Sequence, residues 1–210
     1  EQGCELIIAD DGLQHYRLAR DFEFVVVDGK RLFGNGLLLP AGPLRETTQR
    51  LKRADCIIVN GESSWHKQVK NLTLPLLTMQ LTANKVVNVK TGESVKLERF
   101  LTQYLDDTHK INALAGIGDP KRFFNTLEQC GFSLAMVQGF VDHQTFTADD
   151  LQLFSDDLPL LMTEKDAVKC VDFAQENYWY LPVDAVFSES TGRGYITAVI
   201  TKLVELVNKN

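Results

Sequence analysis

The sequence predicts an α/β protein with two domains, each built on a largely parallel sheet and joined to the other by a two-stranded antiparallel ribbon. Short apolar runs that end at Asp or Asn predict buried parallel strands near the amino end. A Thr- and Val-rich stretch with a central turn predicts the ribbon, and strands that alternate with helices beyond it predict the second sheet. The composition agrees, because 44% of the 210 residues are apolar and 24% are charged, as in ordinary globular proteins.

The first domain, residues 1–70, begins with apolar runs that predict neighbouring parallel strands. Between the second and third runs lies a Pro- and Gly-rich loop, which leads to a predicted helix at Thr48 to Arg53. Such strands make only one edge of a larger sheet, so we interpret this region as a portion of a domain. The runs are Leu6 to Ala9, ending at Asp10-Asp11, Phe24 to Val27, ending at Asp28, and Cys56 to Val59, ending at Asn60.

The connector, residues 71–109, is predicted to hold the ribbon and a short helix. Lys90-Thr91-Gly92-Glu93 is a turn signal between two valine-containing stretches, Val86 to Val89 and Ser94 to Leu97. The apolar residues from Phe100 to Leu105 are then spaced for about one and a half helical turns. We therefore expect these residues to join the two domains.

The second domain, residues 110–210, is predicted to alternate strands with helices. Gly131 is placed to follow a helix as its C′ residue, and Thr147 and Thr163 begin capping patterns that use Asp instead of Glu. The segment from Ile196 to Val207 has apolar residues at helical spacing and predicts the last helix. The predicted strands are Ile111 to Ala115, Ser133 to Val137, Leu158 to Met162 and Trp179 to Val183.

Charge and cysteine content exclude several classes of function. The 22 basic and 28 acidic residues give a formal net charge of -6, which disfavours a protein that coats nucleic acid. The 4 cysteines have no CxxC spacing, which argues against a zinc site or a disulfide scaffold and fits reduced, buried thiols. The sequence has no long apolar run that would predict a transmembrane helix, and it starts at Glu1 rather than Met, so we expect an incomplete gene product.

Polar residues after the first apolar run form the first candidate site. Asp10 and Asp11 are placed to hold Mg²⁺ directly or through water, and the alternative is a solvated strand end. Gln14 and His15 follow at the edge where ligands of open α/β sheets bind, although a lone histidine here is more often an ordinary loop residue. Arg45 follows the Pro-rich loop and suits phosphate binding, with a surface salt bridge as the alternative.

The second domain offers two further candidates. Asp142 and His143 stand together after a predicted strand, where an imidazole can take or give a proton, but neighbours in a loop need not face each other. The loop from Gly116 to Pro120 is a weak phosphate-loop signal, because it lacks the third glycine of G-x-G-x-x-G. The pattern G-x-x-x-x-G-K-[ST] occurs nowhere in the sequence, so a P-loop kinase would need residues before Glu1.

An ordered set of motifs runs from one end of the chain to the other. The motifs are Asp10 to His15, Val27 to Gly29, Phe33 to Gly36, Leu39 to Glu46, Gly116 to Phe124, Asp142-His143 and Thr163 to Lys169. Taken in this order, they resemble the tetraacyldisaccharide 4′-kinase family, the lipid A 4′-kinases. The resemblance implies two α/β/α domains joined by a two-stranded ribbon, the first of them a P-loop-kinase-like domain that is incomplete in this chain.

The resemblance also implies an activity and its partners. The family uses ATP and Mg²⁺ to phosphorylate the 4′-hydroxyl of a tetraacylated glucosamine disaccharide, which is a lipid A precursor. The implied place of action is the cytoplasmic face of the bacterial inner membrane, with peripheral contact largely through a segment that precedes Glu1. No nucleic acid is expected among the partners.

Family roles carry over to residues at matching motif positions. Asp10 and Asp11 match the acids associated with Mg²⁺. His143 matches the histidine that pairs with a catalytic carboxylate to activate the sugar hydroxyl. The remaining matches are positions that line the cleft where the nucleotide and the lipid headgroup meet, and they are Gln14, His15 and Arg45.

Several parts of the family pattern precede the point at which this chain starts, namely the membrane-associating helix, the P-loop and the catalytic carboxylate. Because phosphoryl transfer depends on positioning and charge neutralisation, we expect the chain alone to be nearly inactive. The alternative is a non-catalytic α/β module that binds a nucleotide or a phosphosugar through its strand-end loops. Translation of the gene upstream of Glu1 distinguishes the two hypotheses, since only the kinase requires a P-loop there.

Overall fold

The computed structural model describes residues 6–61, 74–141, 144–154, 157–187 and 190–207. In this part of the chain the strands are β1 (Phe24–Asp28), β2 (Cys56–Asn60), β3 (Leu76–Thr82), β4 (Lys85–Asn88), β5 (Ser94–Lys96), β6 (Lys110–Ala115), β7 (Ser133–Gly139), β8 (Leu160–Thr163), β9 (Tyr178–Leu181) and β10 (Asp184–Phe187). The α-helices are α1 (Leu97–Gln103), α2 (Pro120–Gln129), α3 (Ala148–Leu151), α4 (Glu164–Cys170) and α5 (Ser190–Val207). Short 3-10 helices cover Gly12–Gln14, Thr48–Arg53 and Val171–Phe173.

The strands form two separate sheets. The 4-stranded sheet has the order β1-β2-β3-β10, and its β1–β2 and β2–β3 pairs are parallel. The 6-stranded sheet has the order β5-β4-β9-β8-β6-β7, in which the four strands from β9 to β7 are parallel. These two parallel-rich sheets with connecting helices confirm the predicted α/β class.

Each sheet belongs to its own compact unit of the chain. Unit 1 comprises Glu1–Leu81 with Ala185–Asn210, and unit 2 comprises Thr82–Asp184. The core of unit 1 lies against β1 and β2, where Val27, Leu51, Ile57 and Val59 are buried. The burial pattern of β2 is continuous on both faces, as expected for a central strand of a parallel sheet.

Unit 2 has apolar side chains buried on both faces of its sheet. One cluster packs Phe100 of α1 edge-on against Trp179 of β9, with ring centroids 4.9 Å apart. The other cluster lies around Leu160 and Met162 of β8 and includes Phe146 from the loop before α3. Because alternate residues of a strand point to opposite faces, a fully apolar strand such as β8 needs a core on each side.

The predicted first strand, Leu6 to Ala9, is wrong. These residues have an irregular backbone, and the side chains of Ile7 and Ile8 are 76% and 87% exposed. In the described part of the chain β1 is the edge strand of its sheet, and this segment does not pair with it. Apolar composition alone therefore does not make a strand here, since a strand needs a neighbour to satisfy its amides and carbonyls.

The antiparallel ribbon is present, but it has a different place from the predicted connector. β4 pairs antiparallel with β5, as predicted, and it also pairs antiparallel with β9. The reason is hydrophobic, because Val86 and Val95 are almost fully buried in the core of unit 2. The ribbon is thus an edge of the second sheet. The chain enters unit 2 where β3 ends and leaves it where β10 begins.

The end of the chain also differs from the predicted second domain, residues 110–210. β10, which the sequence did not predict, returns the chain to the sheet of unit 1 beside β3. Tyr195 and Ile196 of α5 then pack against the buried Cys56, Ile58 and Leu77. The helical spacing of α5 correctly predicted a helix, but spacing does not reveal which sheet a helix covers.

Local signals in unit 2 gave correct helix ends. Thr147 and Asp150 form a complete capping box at α3, and the Thr163 hydroxyl accepts a hydrogen bond from the Asp166 amide at α4. Gly131 follows α2 with a φ of 93°, which is in the region that favours glycine. Among the described residues, no helix has the length and apolar character needed to cross a bilayer.

We expect Gly131→Ala to destabilise the protein by about 1–2 kcal/mol, because an L side chain is strained at this positive φ. Steric collision does not contribute, since an added methyl group would lie 3.7 Å from the Leu101 side chain. Gly194→Ala is the matched control. Residue 194 is helical, exposed and open to solvent, so alanine should stabilise by about 0.5–1 kcal/mol. Urea denaturation measures the change in unfolding free energy for both variants. A change of the same sign and size in Gly131→Ala and Gly194→Ala would contradict the role given to the positive φ.

Candidate functional site

Asp10 and Asp11 lie at an exposed turn that precedes the Gly12–Gln14 3-10 helix. Asp11 has a left-handed backbone with a φ of 51°, a conformation that aspartate tolerates better than most residues. Its amide donates a hydrogen bond of 2.9 Å to the Asp10 Oδ1 atom. Both carboxylates face solvent, and the described residues contain no group of three or more His, Cys, Asp or Glu side chains arranged around a common point.

Gln14 and Arg45 are brought together from separate motifs. The Arg45 Nη1 atom donates to the Gln14 Oε1 atom at 3.2 Å, although the two residues are 31 positions apart. Both side chains are exposed, as is His15 beside them. The structure therefore places two of the three predicted substrate-binding residues in direct contact, and Gln14 follows Asp10 and Asp11 closely along the chain.

The loop before Arg45 is held by internal hydrogen bonds. The Asn35 side-chain amide donates to the Ala41 carbonyl at 2.9 Å, and its Oδ1 atom accepts from the Leu37 amide at 3.1 Å. Gly42 is required at its position, because any side chain there would collide with the Leu37 carbonyl and the Asn35 amide group. These contacts define the conformation of the loop that leads to Arg45. The stiffness expected from its prolines stays a prediction.

A buried ion cluster anchors both sides of this site. The Glu23 carboxylate, nearly buried, accepts hydrogen bonds from Arg20 and from the Arg50 Nη2 atom, the latter at 2.7 Å. Arg20 also donates to the carbonyls of Leu13 and His15, at 3.4 and 2.9 Å. Arg20 thereby ties the residues on either side of Gln14 to the buried carboxylate.

The same cluster reaches the residue that follows Arg45. The Arg50 Nε atom lies 3.7 Å from the Glu46 Oε2 atom. Glu46 in turn hydrogen-bonds Tyr16, and this bond raises the pKa of the exposed Tyr16 hydroxyl. Arg20 therefore holds the backbone around Gln14, and Arg50 holds Glu46 next to Arg45, while both guanidinium groups bond Glu23.

The electrostatics of Glu23 favour its ionised form. Burial alone would raise the pKa of the Glu23 carboxyl, but the hydrogen bonds and charges of Arg50 and Arg20 outweigh burial and lower it below its ordinary value. The Glu23 hydrogen bonds in turn raise the pKa of the Arg50 guanidinium against the effect of burial. The cluster is thus an ion pair at neutral pH.

A surface cavity of about 520 Å³ lies on the 3-10 helix next to this cluster. Three of its lining residues are basic and one is acidic, which suits an anionic group better than a cation. The lining residues are Glu46, Thr47, Gln49, Arg50, Lys52 and Arg53.

A second buried carboxylate organises the strand ends of unit 2. Asp166 is fully buried, and its Oδ2 atom accepts from the Gly116 amide at 2.9 Å and from the Thr163 hydroxyl at 2.6 Å. Its Oδ1 atom pairs with the Lys169 Nζ atom at 2.8 Å, and that ammonium lies 4.6 Å from the centre of the Phe146 ring. One carboxylate thus connects the ends of β6 and β8 with the start of α4.

This arrangement corrects the phosphate-loop interpretation of Gly116 to Pro120. The Gly116 amide is occupied by Asp166 and is not available to a phosphate. An added side chain at Gly116 would also collide with Phe146, so the glycine serves close packing here. The other candidate of unit 2, Asp142 with His143, lies outside the described residues.

The described cysteines are free thiols in unreactive surroundings. Burial raises the pKa of Cys56 to about 11, with a further contribution from Asp55. Burial also raises the pKa of Cys170 to about 12, with Asp166 adding to the effect. Thiols with such pKa values remain protonated at neutral pH, so they are not nucleophiles.

Sequence reasoning missed the positioning residues of both units. Arg20 and Glu23 are close enough in sequence to suggest an ion pair, but their partner Arg50 is 27 residues from Glu23 and has no local signal. In unit 2 the segment Thr163 to Lys169 was interpreted as a cap followed by a helix and as a motif of the family pattern, without a role for Asp166. Nothing in the sequence around Asp166 indicates that this residue is buried or that its carboxylate accepts a hydrogen bond from the Gly116 amide.

Comparison with protein families gives one match over nearly the whole chain. The family model of LpxK, described as tetraacyldisaccharide-1-P 4′-kinase, matches residues 1–201. Proteins named tetraacyldisaccharide 4′-kinase are 56% identical in Colwellia psychrerythraea, over 90% of this chain, and 49% identical in Pasteurella multocida, over 92%. The chain spans about half the length of these curated relatives, namely 53% and 54%.

A solved structure supports the fold. The crystal structure of the "apo" form of LpxK from Aquifex aeolicus in complex with ATP aligns with a TM-score of 0.63 and 24% sequence identity. The alignment covers 93% of this chain and 55% of that chain. At this identity the likeness concerns the fold.

We expect Glu23→Gln to destabilise unit 1 by about 3 kcal/mol at neutral pH, because it leaves Arg20 and Arg50 near a neutral, largely buried side chain. The folded-state pKa of Glu23 is lowered, so its stabilising effect is present above the unfolded pKa, about 4.3, and is lost as the pH falls through the folded value. The difference in unfolding free energy between the unsubstituted chain and the variant should therefore shrink below about pH 4.

Urea denaturation at a series of pH values measures this difference. Glu205→Gln, at an exposed position of α5 in the same unit, is the control and should show little effect at any pH. A Glu23→Gln effect that stays constant from neutral to acidic pH would contradict the ion-pair assignment.

Proposed function

Because the chain belongs to the tetraacyldisaccharide-1-P 4′-kinase family, we propose that the whole protein transfers the γ-phosphoryl group of ATP to the 4′-hydroxyl of a tetraacylated glucosamine disaccharide. The product of this step is a phosphorylated lipid A precursor. ATP as the donor is supported by the Aquifex aeolicus relative, whose crystal structure is a complex with ATP. The chain contributes unit 1, with the acidic turn and Arg45, and unit 2, whose sequence carries His143.

The hydrogen bond between Gln14 and Arg45 is the observation that carries this proposal. It joins two motifs of the family pattern at one place, and the motif of Gln14 also contains Asp10 and Asp11. A guanidinium presents several donors in a planar fork, which suits the phosphate oxygens of a nucleotide or of a phosphorylated sugar. Gln14 orients that fork and, with His15, offers polar groups to the sugar.

Asp10 and Asp11 fit a magnesium ion by their chemistry. Both are exposed carboxylates on adjacent residues, and Mg²⁺ in kinases takes one or two carboxylates together with water and substrate phosphates. We assign these two side chains to Mg²⁺ and its water shell. When bound, the ion would neutralise charge on the phosphates during transfer.

His143 is assigned to the acceptor hydroxyl. In the proposed reaction the 4′-oxygen attacks the γ-phosphorus, the bond between that phosphorus and the bridging oxygen breaks, and ADP leaves. The hydroxyl proton goes to the His143 imidazole, which a carboxylate from outside this chain orients. Such proton transfer contributes on the order of 10²–10⁴-fold to the rate.

The place of action that we propose is the cytoplasmic face of the bacterial inner membrane, with the protein bound peripherally. A substrate with four acyl chains remains in the bilayer, so the enzyme must meet it there. The lipid and ATP are the proposed partners.

In the whole protein, Arg45→Ala is expected to lower kcat/KM for lipid phosphorylation by roughly 10–100-fold, because one hydrogen bond to a charged group contributes about 1.5–3 kcal/mol. Arg45→Lys should recover only part of the loss, since an ammonium lacks the planar fork. Arg99→Ala, at an exposed site of α1, is the control and should leave kcat/KM unchanged. A radiolabelled γ-phosphate transfer assay measures all three variants, and full activity of Arg45→Ala would refute the assigned role.

The 210-residue chain by itself is expected to phosphorylate no lipid, because a chain without the P-loop motif cannot cradle the phosphates of ATP. The same assay tests this expectation, with the whole protein as the positive control. Lipid phosphorylation by the 210-residue chain alone would contradict the need for a P-loop outside it. If the whole protein binds nucleotide but transfers no phosphate, the non-catalytic module is favoured instead.

A further inference from the structure

Lys169 of α4 connects a buried carboxylate to an aromatic ring of unit 2. Its Nζ atom lies 2.8 Å from the Asp166 Oδ1 atom and 4.6 Å from the centre of the Phe146 ring. Only 19% of the Lys169 side chain is exposed, and Asp166 is fully buried. Protein groups therefore engage the ammonium on two sides, an arrangement suited to holding other parts of the chain in place.

The Phe146 ring also contacts two other segments of unit 2. A methyl group added at Gly116 would lie 2.8 Å from the Phe146 Cζ atom, so the ring packs closely against the backbone where β6 ends. The ring of Phe140, the residue after β7, meets the Phe146 ring in a T-shaped pair with a centroid distance of 4.9 Å. A shift of the Phe146 ring would therefore disturb the chain beyond both β6 and β7.

The loop from Phe140 to Thr147 is fixed at both ends. At its start the Phe140 amide donates a hydrogen bond of 2.9 Å to the Ala115 carbonyl. At its end Thr147 is the N-cap residue of α3 and forms its capping box. Because Phe146 precedes Thr147 and lies against Lys169, the loop begins and ends at points that the rest of unit 2 determines.

The middle of this loop is closed by two further hydrogen bonds. The Gln144 amide donates to the Val141 carbonyl at 3.0 Å, and the Val141 amide donates to the Gln144 Oε1 atom at 3.3 Å. The sequence between these two residues is Asp142-His143, which lies outside the described residues. The chain that contains the assigned histidine is thus tied together on either side of it.

The contacts of Asp166 and Lys169 lie where parallel strands of the second sheet end. Asp166 accepts hydrogen bonds from Gly116 after β6 and from Thr163 at the end of β8. Ligands of open parallel sheets bind outside the carboxyl ends of the strands, so loops at this edge are the functional ones. A buried ion pair adds little stability compared with apolar residues of similar size, so a need to keep one loop geometry explains it better.

We propose that Lys169 is a positioning residue for the proton acceptor of the reaction, and that it acts through Phe146 on the loop that carries His143. Asp166 holds the ammonium in place. The proposal rests on the proposed function, which assigns His143 to the acceptor hydroxyl. Because phosphoryl transfer depends on the placement of its groups, a looser loop should slow the chemical step and leave the binding of ATP and lipid almost unchanged.

The first test is steady-state kinetics of lipid phosphorylation by the whole protein. Lys169→Gln keeps a hydrogen-bond donor for Asp166 but removes the cation beside the Phe146 ring, and it should lower kcat by roughly 10–100-fold. The KM values for ATP and lipid should change by less than about twofold. Lys169→Arg keeps the cation and should recover most of the lost kcat. Lys85→Gln, at an exposed position of β4, is the control and should leave kcat unchanged.

A second variant separates positioning from stability. Phe146→Leu keeps an apolar side chain but removes the ring that Lys169 and Phe140 contact. Phe132→Leu is the matched control, because Phe132 is also buried but belongs to the other core cluster of unit 2. Both variants should lower the thermal midpoint, while only Phe146→Leu should lower kcat. An equal loss of kcat in both variants would show that stability alone is involved, which overturns the proposal.

The decisive test combines Lys169→Gln with His143→Ala. A residue that acts only through His143 has nothing to position once the imidazole is absent, so Lys169→Gln should cause no further loss of kcat in the His143→Ala background. The same fold-loss in both backgrounds would overturn the proposal. A raised KM with unchanged kcat in Lys169→Gln would also overturn it, since Lys169 would then contact a substrate.

The failures of the two proposals are distinguishable. If His143→Ala lowers kcat and Lys169→Gln does not, the positioning role is refuted and the proposed function stands. If His143→Ala leaves kcat unchanged, the assignment of His143 is refuted and the positioning role falls with it. Circular dichroism and urea denaturation of each variant show whether it is folded under the conditions of the assay.

Discussion

The Glu23 carboxylate, held between Arg20 and Arg50, is the interaction on which the arrangement of the candidate site depends. A buried carboxylate is costly unless cations and hydrogen bonds compensate it, and here two guanidinium groups bond its Oε2 atom. The residue is fixed from its backbone as well, because its carbonyl accepts from the amides of Asp55 and Cys56 at the start of β2. The cluster therefore joins an irregular loop to the most deeply buried strand of unit 1.

This anchoring explains how exposed groups can keep a defined geometry. The contact between Gln14 and Arg45 is solvent-exposed, and a hydrogen bond of that kind contributes only about 1 kcal/mol. It cannot by itself order two loops against their conformational entropy. Arg20 holds the carbonyls on either side of Gln14, and Arg50 holds Glu46 next to Arg45, so most of the entropy is already lost through the buried cluster.

The sequence predicted those features that depend on local chemistry. The strands of unit 2, the caps at Thr147 and Thr163 and the turn at Gly131 follow from patterns within a few residues, and the structure confirms them. Features that depend on distant partners were missed or misplaced. Leu6 to Ala9 had the composition of a strand but no neighbour, α5 returned to unit 1 through β10, and the Glu23 cluster joined residues from two separate segments. The motif resemblance located Gln14 and Arg45 individually, while only the fold showed that they touch.

Unit 2 uses the same physical device with different residues. Asp166 is fully buried, and it is compensated by one ammonium, one hydroxyl and one backbone amide, where Glu23 has two guanidinium groups. In unit 2 the carboxylate bonds Gly116 of a family motif directly, whereas in unit 1 Glu23 bonds Arg20, whose guanidinium donates to the carbonyls of Leu13 and His15 in another such motif. Replacing either carboxylate by an apolar residue could preserve the hydrophobic core, but it would leave buried cations or amides without acceptors. Each carboxylate therefore holds one loop in one position through a network of polar contacts, and the hydrophobic core could not provide this function.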